Sequence, residues 1–226
     1  MHVEIWSDIA CPWCYVGKRR FEAALASFEH REQVQVTWRS FELDPSAPPE
    51  REVDSAKHLA DKYAISRDEA LAMQERVAST AAGEGLDFRF DRARGGSTFD
   101  AHRVLHLAAA HGLQDAMKER LMRAYLSEGE LISDAAVLER LAVEAGLPAG
   151  EARDVLAGGR YAHEVREDES AATALGIHAV PFFVVDRKVG AAGAHPPQAL
   201  LELLRQALAS DEVVAGGATS CAVDGC

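Results

Sequence analysis

The sequence predicts an α/β fold in which a strand–helix–strand opening and a helix–strand–strand–helix close are separated by a large all-helical insertion. Three observations predict it. Two short β-rich runs flank an amphipathic segment near the start, helical periodicity runs from Ser55 to about Gly159, and strand-like runs return only after Gly176. The chain then divides into a sheet-containing domain over 1–44 and 160–210, an inserted helical domain over 45–159, and a flexible tail over 211–226.

His2 to Ser7 (HVEIWS) is β-rich and stops at Asp8, which leads directly into Cys11-Pro12-Trp13-Cys14. From Pro12 to about His30, Val16, Phe21, Leu25 and Phe28 recur at helical spacing, and Pro12 is tolerated in a first turn that lacks partners for its N–H groups. Val34 to Phe41 alternates as a second strand. Asp44-Pro45 and Pro48-Pro49 punctuate the chain before the helical block, whose segments are Ser55–Tyr63, Ser66–Glu84, Thr98–His111, Gln114–Ser127, Asp134–Ala145 and Ala149–Ala157. Ser66 and Glu69 form a capping box, and no longer period marks a repeat array. Met73, Met117, Met122 and the leucines of the block read as helix packing. Tyr161 to Leu175 forms another helix closed by Gly176. Phe182–Val185 and Lys188–Gly190 pair around an Asp186-Arg187 turn, Pro197 to Ala209 is a last amphipathic helix, and the Gly- and Ala-rich remainder carries Cys221 and Cys226.

With 226 residues, 48% of them hydrophobic, the chain can bury a sizeable core. A net charge of -12 provides no broad basic field, which argues against nucleic acid or an anionic membrane as partner. Glu4, Asp8 and the first two cysteines interrupt what a secretory signal would need to be apolar, and no run approaches the ~20 apolar residues of a membrane span. A cytoplasmic location is expected. Four cysteines grouped as Cys-x2-Cys and Cys-x4-Cys do not form a secreted disulfide framework; they point to redox exchange or metal.

Disulfide exchange requires a thiolate on a reachable sulfur and a second thiol that releases the mixed disulfide. A Cys-x2-Cys opening a helix supplies both, with Cys11 outermost beside free backbone N–H groups and Cys14 a turn further in. The helix terminus stabilises an anion by roughly 0.3–2 kcal/mol, and about 1.4 kcal/mol is one pKa unit. On this reading no further base is required. Asp8 is either a strand-end carboxylate or the acceptor of the Cys14 proton. Half of a structural zinc site is the competing reading of the pair, but the only other cysteines lie in the tail, so no metal is expected.

Cys11-Pro12-Trp13-Cys14 after a first strand, Val180-Pro181 before a late strand, and Gly193-Ala194-His195-Pro196-Pro197 before a last helix resemble the cytoplasmic DsbA family, in particular its FrnE-like branch. The resemblance implies a thioredoxin-like fold and a thiol–disulfide oxidoreductase or disulfide isomerase. It implies that Pro181 is cis and turns the backbone of Val180 toward a substrate, with Pro12 and Trp13 beside it. His102 and Arg103 lie in a segment that approaches the cleft in similar proteins, which implies substrate contacts. Cys221 and Cys226 match the C-terminus of some relatives; with a reach of roughly 17–20 Å they are either an auxiliary relay pair or part of a dispensable tail with an opportunistic disulfide. Ser97 and His195 depart from the Asn and Gln frequent in relatives.

The implied substrates are disulfide-containing proteins or small thiols, with glutathione or another small thiol as co-substrate and no tightly bound cofactor. A reducing compartment points to reductase or isomerase work. Two other readings stand beside this one. A glutathione-dependent isomerase or transferase related to hydroxychromene-carboxylate isomerase often has Ser at the first cysteine position, and a zinc-binding chaperone-like module would use the cysteines as ligands.

Overall fold

The computed structural model describes residues 1–216, with side chains through Ala209. Strand β1 (His2–Ser7), helix α1 (Pro12–Ala26) and strand β2 (Gln35–Ser40) open the fold; β3 (Phe182–Val185), β4 (Val189–Ala192) and a last helix (Pro197–Gly216) close it. The sheet order is β2-β1-β3-β4, with β1 parallel to β2 and antiparallel to β3. Because β1 is central, the chain leaving Ser7 emerges in the middle of the sheet's end, between its neighbours.

Alternation along β1 decides what covers each face. Val3 and Ile5 are buried with Phe21 and Phe28, from α1 and the turn after it, and with Leu200 and Leu204 of the last helix. Trp6 points the other way, against Ala172 and Ile177. It is fixed by its indole N–H, which donates to the carbonyl of Asp168 at 2.9 Å, within the helix Ala162–Ala174. The Asp168 carboxylate accepts from the Ser40 N–H at 2.8 Å and from Arg39 at 2.9 Å, so one buried side chain ties that helix to β2.

The insertion comprises α2 (Ser55–Tyr63), α3 (Arg67–Gly83), α4 (Phe99–Ala110), α5 (Gln114–Arg123), α6 (Ala135–Glu144) and α7 (Ala149–Ala157); Ala162–Ala174 is α8 and the last helix is α9. Asp54 and Asp134 cap α2 and α6, and the Ser66–Glu69 capping box opens α3. Val104, Leu107, Met117, Leu121, Leu138 and Val155 form a core that continues without a break into Ile9, Cys11, Cys14 and Val16. The insertion therefore packs directly on the first turns of α1.

Three boundaries differ from the sequence expectation. Helix α1 ends at Ala26 because Ser27 and Phe28 turn back onto Ala24 and Leu25, yet Phe28 stays buried. The expected end of α5 widens into one π-helical turn, Ala124–Glu128, where the Leu126 carbonyl accepts from the Arg89 N–H at 2.7 Å. Helix α9 continues past Ala209 to Gly216, since no proline or glycine interrupts the sequence before Gly216. Cys221 and Cys226 lie outside the described residues. Among those residues, no helix is long and apolar enough to cross a membrane.

The β3–β4 hairpin turns through Asp186 and Arg187, both left-handed with φ of 48° and 55°. Arg187 then reaches back to Glu4, which is 1% exposed in the central strand and also accepts from Arg39 at 2.7 Å. The hydrogen bond from Arg187 outweighs burial and, with Arg39, holds the Glu4 carboxyl down to about 2. A depressed carboxylate contributes stability above its unfolded value of 4.5, and that contribution is lost as pH falls through about 2. Glu4→Gln is expected to lower unfolding free energy at neutral pH by about 2 kcal/mol. Chemical denaturation across pH checks this: the gap from the parent protein should close in acid, and a constant gap would show that the charge is not responsible.

Candidate active site

After β1 the chain turns at Asp8, whose carbonyl accepts from the Cys11 N–H, and Cys11 becomes the N-cap of α1 with extended backbone (φ -87°, ψ 112°). Pro12 occupies the first helical turn, where its missing N–H leaves no bond unmade. The Cys14 N–H closes on the Cys11 carbonyl at 3.1 Å. Both thiols are free. Facing them, the Val180–Pro181 peptide bond is cis, as the resemblance implied, and the Val180 carbonyl accepts from Cys11 Sγ at 3.7 Å.

Gly17 makes that approach feasible: a Cβ there would lie 2.9 Å from Pro181 Cγ and 3.6 Å from Ala194 Cβ. Glycine in a helix costs about 1 kcal/mol relative to alanine, and here the cost permits the proline loop to seat against α1.

Cys11 is more covered than the sequence suggested. It is 5% exposed, against 0% for Cys14, because the insertion and the proline loop close over it. Its opening is into a cavity of about 400 Å³, also lined by Pro12, Trp13 and Val180. Cys14 does not line that cavity.

Beneath the pair lies a residue that motif reading missed. Lys118 of α5 is 0% exposed, donates to the Ser7 carbonyl at 3.1 Å, and has its Nζ 5.7 Å from the Trp38 ring centroid. Its signal in the sequence is a lysine inside the apolar face formed by Met117, Leu121 and Met122. Burial pulls the ammonium down to about 8, against the neighbouring Cys14, Asp8 and Cys11. It therefore remains largely protonated at neutral pH.

The two sulfurs ionise as a unit. Burial opposes charge on Cys14, but the hydrogen bond from Cys11, the Lys118 ammonium and the Ser7 hydroxyl together lower it below the ordinary thiol range. That hydroxyl has no oxygen or nitrogen partner of its own. The same shared hydrogen bond, with burial and the adjacent sulfur charge, pushes the remaining proton on Cys11 well up. The helix terminus is thus one contributor among several, and the ammonium below is another.

Asp8 is 1% exposed and sits between Lys118 and His102. Burial raises its carboxyl, but the hydrogen bond from His102 Nε2 at 3.3 Å, the charges nearby and the Leu43 N–H at 2.8 Å bring it below the usual range. Burial keeps His102 neutral, and its Nδ1 has no partner.

The expectation that His102 and Arg103 contact substrate is corrected by this geometry. His102 is fully buried behind Asp8, away from the cavity lining. Arg103, 4% exposed, donates to the carbonyls of Val155, Gly158 and Arg160 and pairs with Asp100 at 2.7 Å, closing the C-terminus of α7. Among the described residues, no group of three or more His, Cys, Asp or Glu side chains is placed to hold a metal.

The chain matches the DSBA-like thioredoxin domain family over residues 2–205. It is 45% identical to a probable DsbA oxidoreductase from Streptomyces coelicolor, covering 99% of this chain and 94% of that one with a TM-score of 0.88. The fold is shared at 20% identity with the cytosolic disulfide reductase DsbM of Pseudomonas aeruginosa, solved with GSH (95% and 100% covered, TM-score 0.62). It is shared at 11% identity with 2-hydroxychromene-2-carboxylate isomerase (97% and 100% covered, TM-score 0.67). A Cys-x2-Cys pair opening α1, a cis-proline loop across from it and this match over nearly the whole length lead to one conclusion: the chain belongs to the DsbA-like thioredoxin domain family, whose members are thiol–disulfide oxidoreductases.

Proposed function

We propose that Cys11 is the attacking sulfur and Cys14 the resolving one in thiol–disulfide exchange with proteins or small thiols. The work is placed in the cytoplasm, with glutathione or another small thiol as co-substrate and no tightly bound cofactor. The observation that carries this reading is the asymmetry of the pair: Cys11 opens on the cavity, while Cys14 is sealed over Lys118.

In the reduced protein the pair carries one negative charge and one shared proton. As Cys11 attacks a disulfide, its proton passes to Cys14 along the shared hydrogen bond. The first substrate thiolate leaves and a Cys11 mixed disulfide forms. Cys14 then loses its proton, for which the buried Asp8 carboxylate is the acceptor, and displaces the second substrate thiolate. The protein ends with a Cys11–Cys14 disulfide and the substrate with two sulfurs released as thiolates, so two electrons have moved; the one proton of the pair and one from solvent complete the two thiols. The cis Val180–Pro181 segment holds the incoming sulfur opposite Cys11. A glutathione-dependent isomerase of the hydroxychromene-carboxylate type gives the sealed Cys14 no task, which favours disulfide exchange.

A Cys14→Ser variant is expected to accumulate mixed disulfides on Cys11, and mass spectrometry of the captured partners identifies the substrates. Capture at random surface positions, or none, would refute the assignment. Cys221 and Cys226 are assigned as an auxiliary relay pair, so the same trap should contain an adduct between Cys11 and one of them; its absence removes the relay.

Lys118→Met is expected to shift the pH dependence of Cys11 alkylation upward by about one unit, because a neighbouring cation favours the charged sulfur. An unmoved profile would show that the ammonium does not act on the pair. Gly17→Ala is favoured by helix propensity but pushes Pro181 away from α1. Turnover should fall by roughly tenfold or more from the displaced loop, with thermal stability changing little; unchanged turnover would show that the loop's seating is not needed.

A further inference from the structure

The cavity beside Cys11 has more chemistry than exchange alone requires. Val77 and Phe90 line its inner wall, and Trp13, Leu43, Val53 and Tyr63 stand along it at 40%, 41%, 43% and 54% exposure. These are four of the seven large hydrophobic side chains exposed among the described residues, and they gather at one opening. Clustered apolar exposure marks a binding surface, and a volume of about 400 Å³ suits a compact organic molecule.

The polar groups along this cavity are unequally occupied. Asp44 pairs with Arg51, and Asp8 is held by His102 and Leu43, so both acidic groups are answered within the protein. Lys62 has no carboxylate partner among the described residues and lies only against the Tyr63 ring, 5.9 Å from its centroid. His58 is held below its usual range chiefly by burial, with Arg51 and Lys62 adding to the effect and Asp44 and Asp61 opposing it. Deeper in, the Tyr125 hydroxyl is presented by the π-helical turn without a hydrogen-bond partner among the described residues. Burial pushes that phenol up to about 12, so it stays a donor.

Resting on the assignment of Cys11 as nucleophile, we propose that this cavity receives a small disulfide whose body is aromatic and bears a carboxylate. The body packs on Val77 and Phe90, the carboxylate faces Lys62, and Tyr125 donates to a polar atom of the part held inside. The reduced pair takes up this disulfide RSSR as Cys11–S–S–R with release of RSH. Attack by Cys14 on Cys11 then releases the second RSH and leaves the protein disulfide. The single proton shared by the pair ends on one product, and the other, released as RS−, takes its proton from solvent.

Single-turnover rates of the reduced protein test this with three probes: dithiobis(nitrobenzoate), which is aromatic and anionic; dithiodipyridine, aromatic and neutral; and hydroxyethyl disulfide, aliphatic and neutral. Lys62→Gln should lower the rate ratio of the first probe to the second by roughly fivefold, the scale of one exposed charge contact, and Lys62→Arg should restore it. Tyr125→Phe, which keeps the ring packing, should slow both aromatic probes and leave hydroxyethyl disulfide unchanged.

An unchanged ratio in Lys62→Gln would overturn the proposal. So would parallel losses with all three probes, or losses confined to an unfolded disulfide-bonded protein, which would assign the cavity to polypeptide. Alkylation of Cys11 by iodoacetamide separates the two levels. A reactive Cys11 without probe discrimination removes only the cavity assignment, whereas an inert Cys11 removes the nucleophile as well.

Discussion

The interaction on which the rest depends is between the buried ammonium of Lys118 and the sulfur pair above it. A charge without solvent costs several kcal/mol unless it is answered. Here the answer comes from three directions: the Ser7 carbonyl at the end of β1, the Asp8 carboxylate, and the Cys14 sulfur at the start of α1. Helix α5 brings the lysine, so the insertion and the sheet domain must stay docked for the charge to be tolerated. The single core running from Leu121 and Val104 into Cys14 and Val16 is the apolar side of the same constraint.

This arrangement also gives Asp8 a role that a strand-end carboxylate would not have. On the proposed role, oxidation of Cys11 and Cys14 would remove the sulfur charge and leave the ammonium facing Asp8. Held low by His102 and the Leu43 N–H, that carboxylate is ionised at rest and answers the ammonium. His102 thus acts from behind the site, holding Asp8 through its Nε2 at 3.3 Å.

Much of this was legible in the sequence because it depends on local chemistry. The β1 run, Pro12 in a first turn, the Ser66–Glu69 box and the Asp186-Arg187 turn each follow from backbone preferences that neighbouring residues settle. What sequence reading missed depends on contacts distant along the chain. Lys118 meets Ser7 across 111 positions, and Arg103 finds its partners 52 to 57 positions away. Helical periodicity identifies the face such a residue occupies but not what stands opposite. The covering of Cys11 was hidden for the same reason, since α2 and α3 return to it only in the folded chain.

A sulfur pair sharing one proton over a lysine has a titration unlike that of two independent thiols. The most direct measurement is thiolate ultraviolet absorbance of the reduced full-length chain, followed against pH with Cys221 and Cys226 replaced by serine. One thiolate should form below the ordinary thiol value of about 8.5, and the second should resist ionisation until far more alkaline pH. Two equal steps near the ordinary value would contradict the coupling of Cys11, Cys14 and Lys118.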